Sequence, residues 1–310
     1  MAYSQGGLIA ASDYNGFVGS NNTTSGTLNY VWSTGNGSYG YGQTGIAAVS
    51  QSGLVTAAQW ASLINTMNSV STHQSGSGSG LSAPTAGSTV NYLSTVSSGI
   101  STYNTNHLNA ATQGTTTTGS TFSPTITATQ GATYGLTTFA TRTVTFASAD
   151  SARYFFNAGG QLNLVIISVA NNDSTSRSAD AVSTIGTYFA GMSAFKAATN
   201  GQRTGSGGTL AGGGYTSGYY SLTTSAQTIA QVTTSSSTYS TDYFLLNVLS
   251  NGVQGSNADK GTVITFNLQY YSSHPGSFND TLNVTVNHRI DVVYPETTNL
   301  SNSWGTVTIA

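Results

Sequence analysis

The chain reads as an α+β protein, with an N-terminal helical and loop region followed by a large antiparallel β-rich, sandwich-like domain carrying one long amphipathic helix. Three observations predict this. Apolar residues recur at helical spacing in two stretches between residues 57 and 111. Beyond residue 120 they mostly alternate at strand spacing. The polar positions between them are filled by Ser, Thr, Asn and 37 Gly rather than by charge. Only 5% of the 310 residues are Asp, Glu, Lys or Arg, where about a quarter is usual. Disorder is excluded, because disordered chains combine low hydrophobicity with high net charge; here 37% of residues are hydrophobic and the net charge is −2. The 18 Tyr and 11 Phe supply large side chains for a core.

Residues 1–74 form the first expected region, a docking region. Leu28-Asn29-Tyr30-Val31-Trp32 is short and alternating, a strand candidate. The glycine-rich run 35–43 follows as a tight loop. A helix is expected over 57–72. Thr56 and Gln59 have capping-box spacing, Val55 and Trp60 occupy staple positions, and Trp60, Leu63, Ile64, Met67 and Val70 share one face.

The second region, 75–119, is a Ser/Gly linker followed by a helix over 88–111. Leu93, Val96, Ile100, Tyr103 and His107 alternate steps of three and four, the spacing of a coiled-coil seam. Its Ser, Thr and Asn surface is a poor helix former, so the helix needs a packing partner. That partner is either the Trp60 helix in an intramolecular hairpin or other copies of the chain in a bundle. The run Gly114-Thr115-Thr116-Thr117-Thr118-Gly119 marks the boundary.

Region 120–310 is β-rich. Strands are expected at 125–129 and 141–146, then a short helix capped by Ser148 and ended by Gly159-Gly160. Residues 161–170 form a strand apolar on both faces, hence central. An amphipathic helix is expected over 177–199, with Val182, Ile185, Phe189, Met192 and Phe195 inward. Residues 243–249, 263–271 and the unbroken alternation from Leu282 to Tyr294 are strands, the last with Arg289 and Asp291 paired on its outer face. Residues 303–310 form a terminal strand.

The composition restricts chemistry. The seven Lys and Arg make no patch for phosphates. There is no cysteine for disulfides or thiolate sites. No apolar run approaches the ~20 residues of a membrane span, and the opening residues carry no signal-peptide pattern. His73, His107, His274 and His288 lack paired ligand spacing, and the eight Asp and single glutamate, Glu296, fall largely at turns and helix starts. No catalytic residue, cofactor or metal site is therefore expected; the one open alternative is an ion trapped at His107 on an oligomer axis.

Residues 151–160 hold an arginine, three aromatics and a glycine pair: Arg153, Tyr154, Phe155, Phe156, Gly159 and Gly160. They make either a core corner or a joint that sets subunit contacts through Arg153 and an exposed aromatic edge. With Trp60, Leu93, Ile100 and His107 they are the structural and interface candidates.

The stretch Arg153-Tyr154-Phe155-Phe156-Asn157-Ala158-Gly159-Gly160-Gln161-Leu162 resembles one that recurs in virion structural proteins of tailed bacteriophages. Ile9-Ala10-Ala11-Ser12-Asp13-Tyr14-Asn15, the Gly-Tyr-Gly-Gln at 40–43 and the helix ending in His73-Gln74 are similar too. The resemblance implies a tail, neck, collar or baseplate component, or otherwise a receptor-binding tail fibre or adhesin, or a capsid decoration protein. Its expected place is the virion, assembled in the host cytoplasm. Expected partners are copies of itself, as a trimer or hexamer, and other virion proteins, with a host receptor in the fibre reading and neither nucleic acid nor membrane. It supplies no catalytic residues.

Overall fold

The computed structural model describes residues 10–128, 134–186, 195–198, 208–210, 218–233, 238–252, 261–272 and 280–310. The chain opens with α1 (Ala11–Val18), α2 (Leu28–Trp32), α3 (Ala57–Ser75) and α4 (Leu93–Thr105). Then come β1 (Gln113–Thr117), β2 (Thr125–Ala128), β3 (Tyr134–Thr145), α5 (Ala149–Asn157), β4 (Gln161–Asn171) and α6 (Ser176–Thr184). The remainder comprises β5 (Phe195–Ala198), β6 (Gly208–Leu210), β7 (Gly218–Ser221), β8 (Gln227–Thr233), β9 (Tyr243–Ser250), β10 (Val263–Ser272), β11 (Leu282–Pro295) and β12 (Thr308–Ile309). An α+β, strand-rich architecture is what the patterning predicted.

Two six-stranded sheets form. One runs β1-β11-β4-β5-β7, with β2 also on β11; the other runs β12-β3-β10-β9-β8-β6. The pairings are antiparallel except β5 with β7 and β6 with β8, which are parallel. Buried residues of both sheets and of the helices belong to one continuous core. On β11, Leu282, Val284, Val286, His288, Ile290 and Val292 all point into it, as the alternation required.

α3 starts where its capping box places it. Thr56 Oγ1 accepts from the Gln59 amide at 3.3 Å, and Gln59 Oε1 accepts from the Thr56 amide at 2.8 Å. It runs one turn past residue 72 and stops at Gly76, which is left-handed. The Ser/Gly run after it is tied down rather than free: Asn68 Oδ1 accepts from the Ser79 amide and hydroxyl, and its Nδ2 donates to the Leu81 carbonyl.

Several expectations are corrected. Leu28–Trp32 is a helix, because five residues do not separate the two periods and the burial of Leu28, Asn29 and Val31 decides between them. α4 is shorter than 88–111: a turn at Thr85–Ser88 and the β-branched Thr89 and Val90 precede it, and no side chain caps its start. Its Val96, Ile100 and Tyr103 are buried, and the helix packs on α1, α2 and α3 of this chain. Within the run that marks the expected boundary, Gln113–Thr117 form an edge strand on β11.

β4 buries only Leu162, Leu164 and Ile166; its other face leaves Ile167 43% exposed. Of the helix expected over 177–199, the described residues show α6 and then a strand at Phe195–Ala198; Phe189 and Met192 lie outside them. The terminal strand is confined to Thr308–Ile309 on β3. Arg289 and Asp291 pair as expected, at 2.8 Å.

Candidate functional site

α5 is the element around which the singled-out residues gather. Ser148 caps it by accepting from the Ser151 amide at 3.0 Å. Arg153 and Asn157 then stand four residues apart, on one helix face. That face meets the loop 34–42, whose glycines turn its carbonyls toward α5 and away from any ladder.

Arg153 is 1% exposed. Its Nη1 donates to the Tyr39 carbonyl at 2.7 Å and its Nη2 to the Thr34 carbonyl at 2.8 Å. Nε and Nη2 both donate to Asp150 Oδ1, at 3.1 and 2.8 Å. One turn on, Asn157 Nδ2 donates to the carbonyls of Gly37, Tyr39 and Gly40 at 3.3, 3.1 and 3.1 Å. Five donor contacts thus satisfy a loop that has no strand partner, as buried carbonyls require.

The flanking residues complete the joint. Tyr154 is half-buried against Gly42, where a Cβ would stand 2.3 Å from its ring. Phe155 packs edge-on to Phe156 at 5.0 Å and to Tyr294 at 5.8 Å, and also meets Phe146. Gly159, at φ 89, brings the chain against Ala110, and Gly160 lies over the Phe155 ring. Phe155 and Phe156 are fully buried, and of the three aromatics Tyr154 alone keeps a partly exposed edge. The segment packs as a core corner of this chain, and Arg153 spends its donors within it.

His107 joins this assembly from just beyond α4. Its ring stacks on Tyr39 at 3.8 Å, and Tyr39 stacks on Tyr30 at 4.4 Å. The Asn104 carbonyl can only accept, so Nδ1–H donates to it at 2.7 Å and Nε2 accepts from the Ser38 hydroxyl at 2.9 Å. Burial holds the imidazole below its ordinary pKa, against the opposing pull of the Asn104 carbonyl, which keeps this neutral tautomer. Both nitrogens are occupied, so an ion at His107 would have to displace Ser38. Trp60, Leu93 and Ile100 lie apart from the joint. Trp60 packs on Tyr14 and Phe17 at 5.9 and 6.1 Å, Ile100 is buried, and Leu93 is half-buried at the start of α4.

Sequence reasoning missed a second latch. His73 Nδ1 donates to Glu296 Oε1 at 3.0 Å, with both side chains buried. Glu296 Oε2 accepts from the Thr298 and Asn299 amides at 2.6 and 2.9 Å, and Oε1 also takes Asn299 Nδ2. Burial alone would raise this carboxyl, but the bonds from His73, Asn299 and Thr298 outweigh it and hold the pKa at about 2. Nearby, Gln43 pairs both ways with Ser301, donating at 2.9 Å and accepting at 2.8 Å. Its available signals were the chain's lone glutamate and a histidine in the last turn of α3.

No protein-family model, no curated protein and no solved structure matches this chain. The site must speak through its own geometry.

That geometry is mechanical. Arg153, Asp150, His107, His73 and Glu296 each hold an internal partner. Elsewhere Asp242, fully buried, accepts from Arg177 Nε at 3.3 Å and from the Tyr270 hydroxyl. The Tyr270 phenol is raised by burial first and by the Asp242 charge second. Among the described residues no three His, Cys, Asp or Glu side chains group as a metal site.

Proposed function

We propose that this chain is a structural component of a tailed-phage virion, in the tail, neck or collar, or baseplate, that assembles as a homo-oligomer and contacts other virion proteins. The observation that carries the reading is the division of labour among its polar groups. Most of its few buried charges latch loops to helices, and neutral carboxamides do the same elsewhere. Asn15 pairs both ways with the Val49 backbone, and Asn29 with that of Ile46. Such a molecule is braced for load and leaves an almost uncharged exterior, which suits dense packing among copies because little net charge keeps them apart. The resemblance of the 153–162 stretch to phage virion proteins supports the same reading. On it the protein is no enzyme, and residues 1–74 dock to the particle.

Exposed apolar side chains supply contact points: Leu54 is 83% exposed, Leu136 47% and Ile167 43%. The test is negative-stain imaging of the full chain beside Leu54→Asp and Ile167→Asp. Rings or short rods from the parent chain, dispersed by either substitution while the melting temperature holds, are expected. Dispersed monomers from the parent chain, combined with normal particle incorporation of both variants in an infection assay, would remove the reading. A receptor-binding fibre or a capsid decoration protein are the alternatives; binding of the purified chain to intact host cells would favour the former.

A further inference from the structure

Neither latch uses a pocket of about 270 Å³ beside the end of β11. Thr115 and Thr117 of β1 line it, with Thr297 and Asn302 from the segment after β11, Tyr294 and the buried Trp304. We propose that this pocket binds a single uncharged sugar ring. The inference goes beyond assembly and does not depend on it.

Four features of the site carry the proposal. The lining offers hydroxyls and a carboxamide, groups that both donate and accept, which is what adjacent sugar hydroxyls require. The half-buried Tyr294 ring gives apolar surface for the C–H face of a ring, and the buried Trp304 backs the wall behind it. No lining residue is charged, so an ionic ligand would lose its hydration without a counter-charge. The volume is below the range of about 300–1,000 Å³ that holds drug-sized ligands, which suits a single ring.

The site is also built in advance of any ligand. Asn302 Oδ1 accepts from the Gly305 amide at 2.8 Å, and Tyr294 Oη accepts from the Val307 amide at 3.1 Å. Glu296, between the lining residues Pro295 and Thr297, is anchored from below by His73. The pairing of β1 with β11 is irregular between Gln113 and Thr116, a bulge that places Thr115 out of register. Bulges redirect side chains and interrupt the regular ladder edge. That interruption disfavours an added peptide strand along β1, the other neutral occupant this chemistry would admit.

The test uses saturation-transfer difference NMR on the purified full chain with D-glucose, D-galactose, N-acetyl-D-glucosamine and L-rhamnose, each at millimolar concentration. Transfer to the ring protons of at least one sugar is expected. Thr117→Asp and Thr297→Asp, at exposed lining positions on β1 and after β11, should each weaken it about tenfold by setting an unpaired carboxylate in the pocket, with unchanged circular dichroism. Absence of transfer to all four sugars would overturn the proposal. So would transfer that both variants leave intact, or transfer only to a Ser/Thr/Gly peptide offered in their place.

Discussion

At the scale of single residues, this protein replaces charge with directed hydrogen bonds, and the few charges it keeps are placed where several loop groups converge. Arg153 is the clearest case. Arg153→Met keeps the packing volume but removes the donor to the Thr34 carbonyl and leaves the Tyr39 carbonyl to Asn157 alone, and should cost about 2 kcal/mol in denaturant unfolding. Glu296 makes a pH-dependent contribution. Its pKa falls from an ordinary 4.5 to about 2 on folding. The folded state therefore favours the carboxylate, and its stabilisation is complete above pH 4.5 and is lost as pH falls toward 2. Unfolding free energy measured across that window should drop, and Glu296→Gln should flatten the drop while lowering stability at neutral pH. An unchanged slope in that variant would assign the acid sensitivity to other groups.

Elements were legible in proportion to how far their own residues settle their conformation. α3 carries its start signal, its apolar face and its stop within twenty or so residues, and it forms where they place it. Removing the cap with Thr56→Ala should cost about 1 kcal/mol by thermal melting. α2 and β1 carry no such signals: Asn29 becomes helical by pairing with the Ile46 backbone, and the Thr run becomes a strand because β11 offers an edge. Glycines separate in the same way. Gly159 and Gly87 both have positive φ, 89 and 84, but a Cβ at Gly159 would stand 2.5 Å from that of Ala110 while Gly87 faces open space. Gly159→Ala should therefore cost about 3 kcal/mol and Gly87→Ala about 1. Gly135 lies in β3 with open space and no positive φ, so Gly135→Thr should stabilise by about 0.5 kcal/mol.

At the scale of the whole molecule, hydrogen bonds join segments far apart in the chain. Gln43 holds Ser301, His73 holds Glu296, and α5 holds the 34–42 loop. One core runs from α1 to the terminal segment. The chain should accordingly unfold in a single calorimetric transition in which the helical region and the sheets melt together. Two separated transitions would mean that the helical region and the sheets are independent units. The same connectivity argues for testing assembly with surface substitutions rather than by deleting residues 1–74, since the deletion would remove the partners of Arg153, Asn157 and Glu296.

The sequence by itself determined the strand-rich α+β class, the capped helix, the long buried face of β11 and the Arg289–Asp291 pair. These are local matters: periodicity, caps and side-chain type act over a few neighbours. The Arg153 and Asn157 sites, four apart on one face, were half visible, because the helix told which residues share a direction but not what they would meet. Tertiary structure alone decided that the meeting partner was the glycine-rich loop of this same chain. It also decided that the lone glutamate closes on His73 and that the Thr run pairs with β11. Each of those depends on groups scores of residues apart, whose hydrogen bonds are worth little until packing removes the competing water.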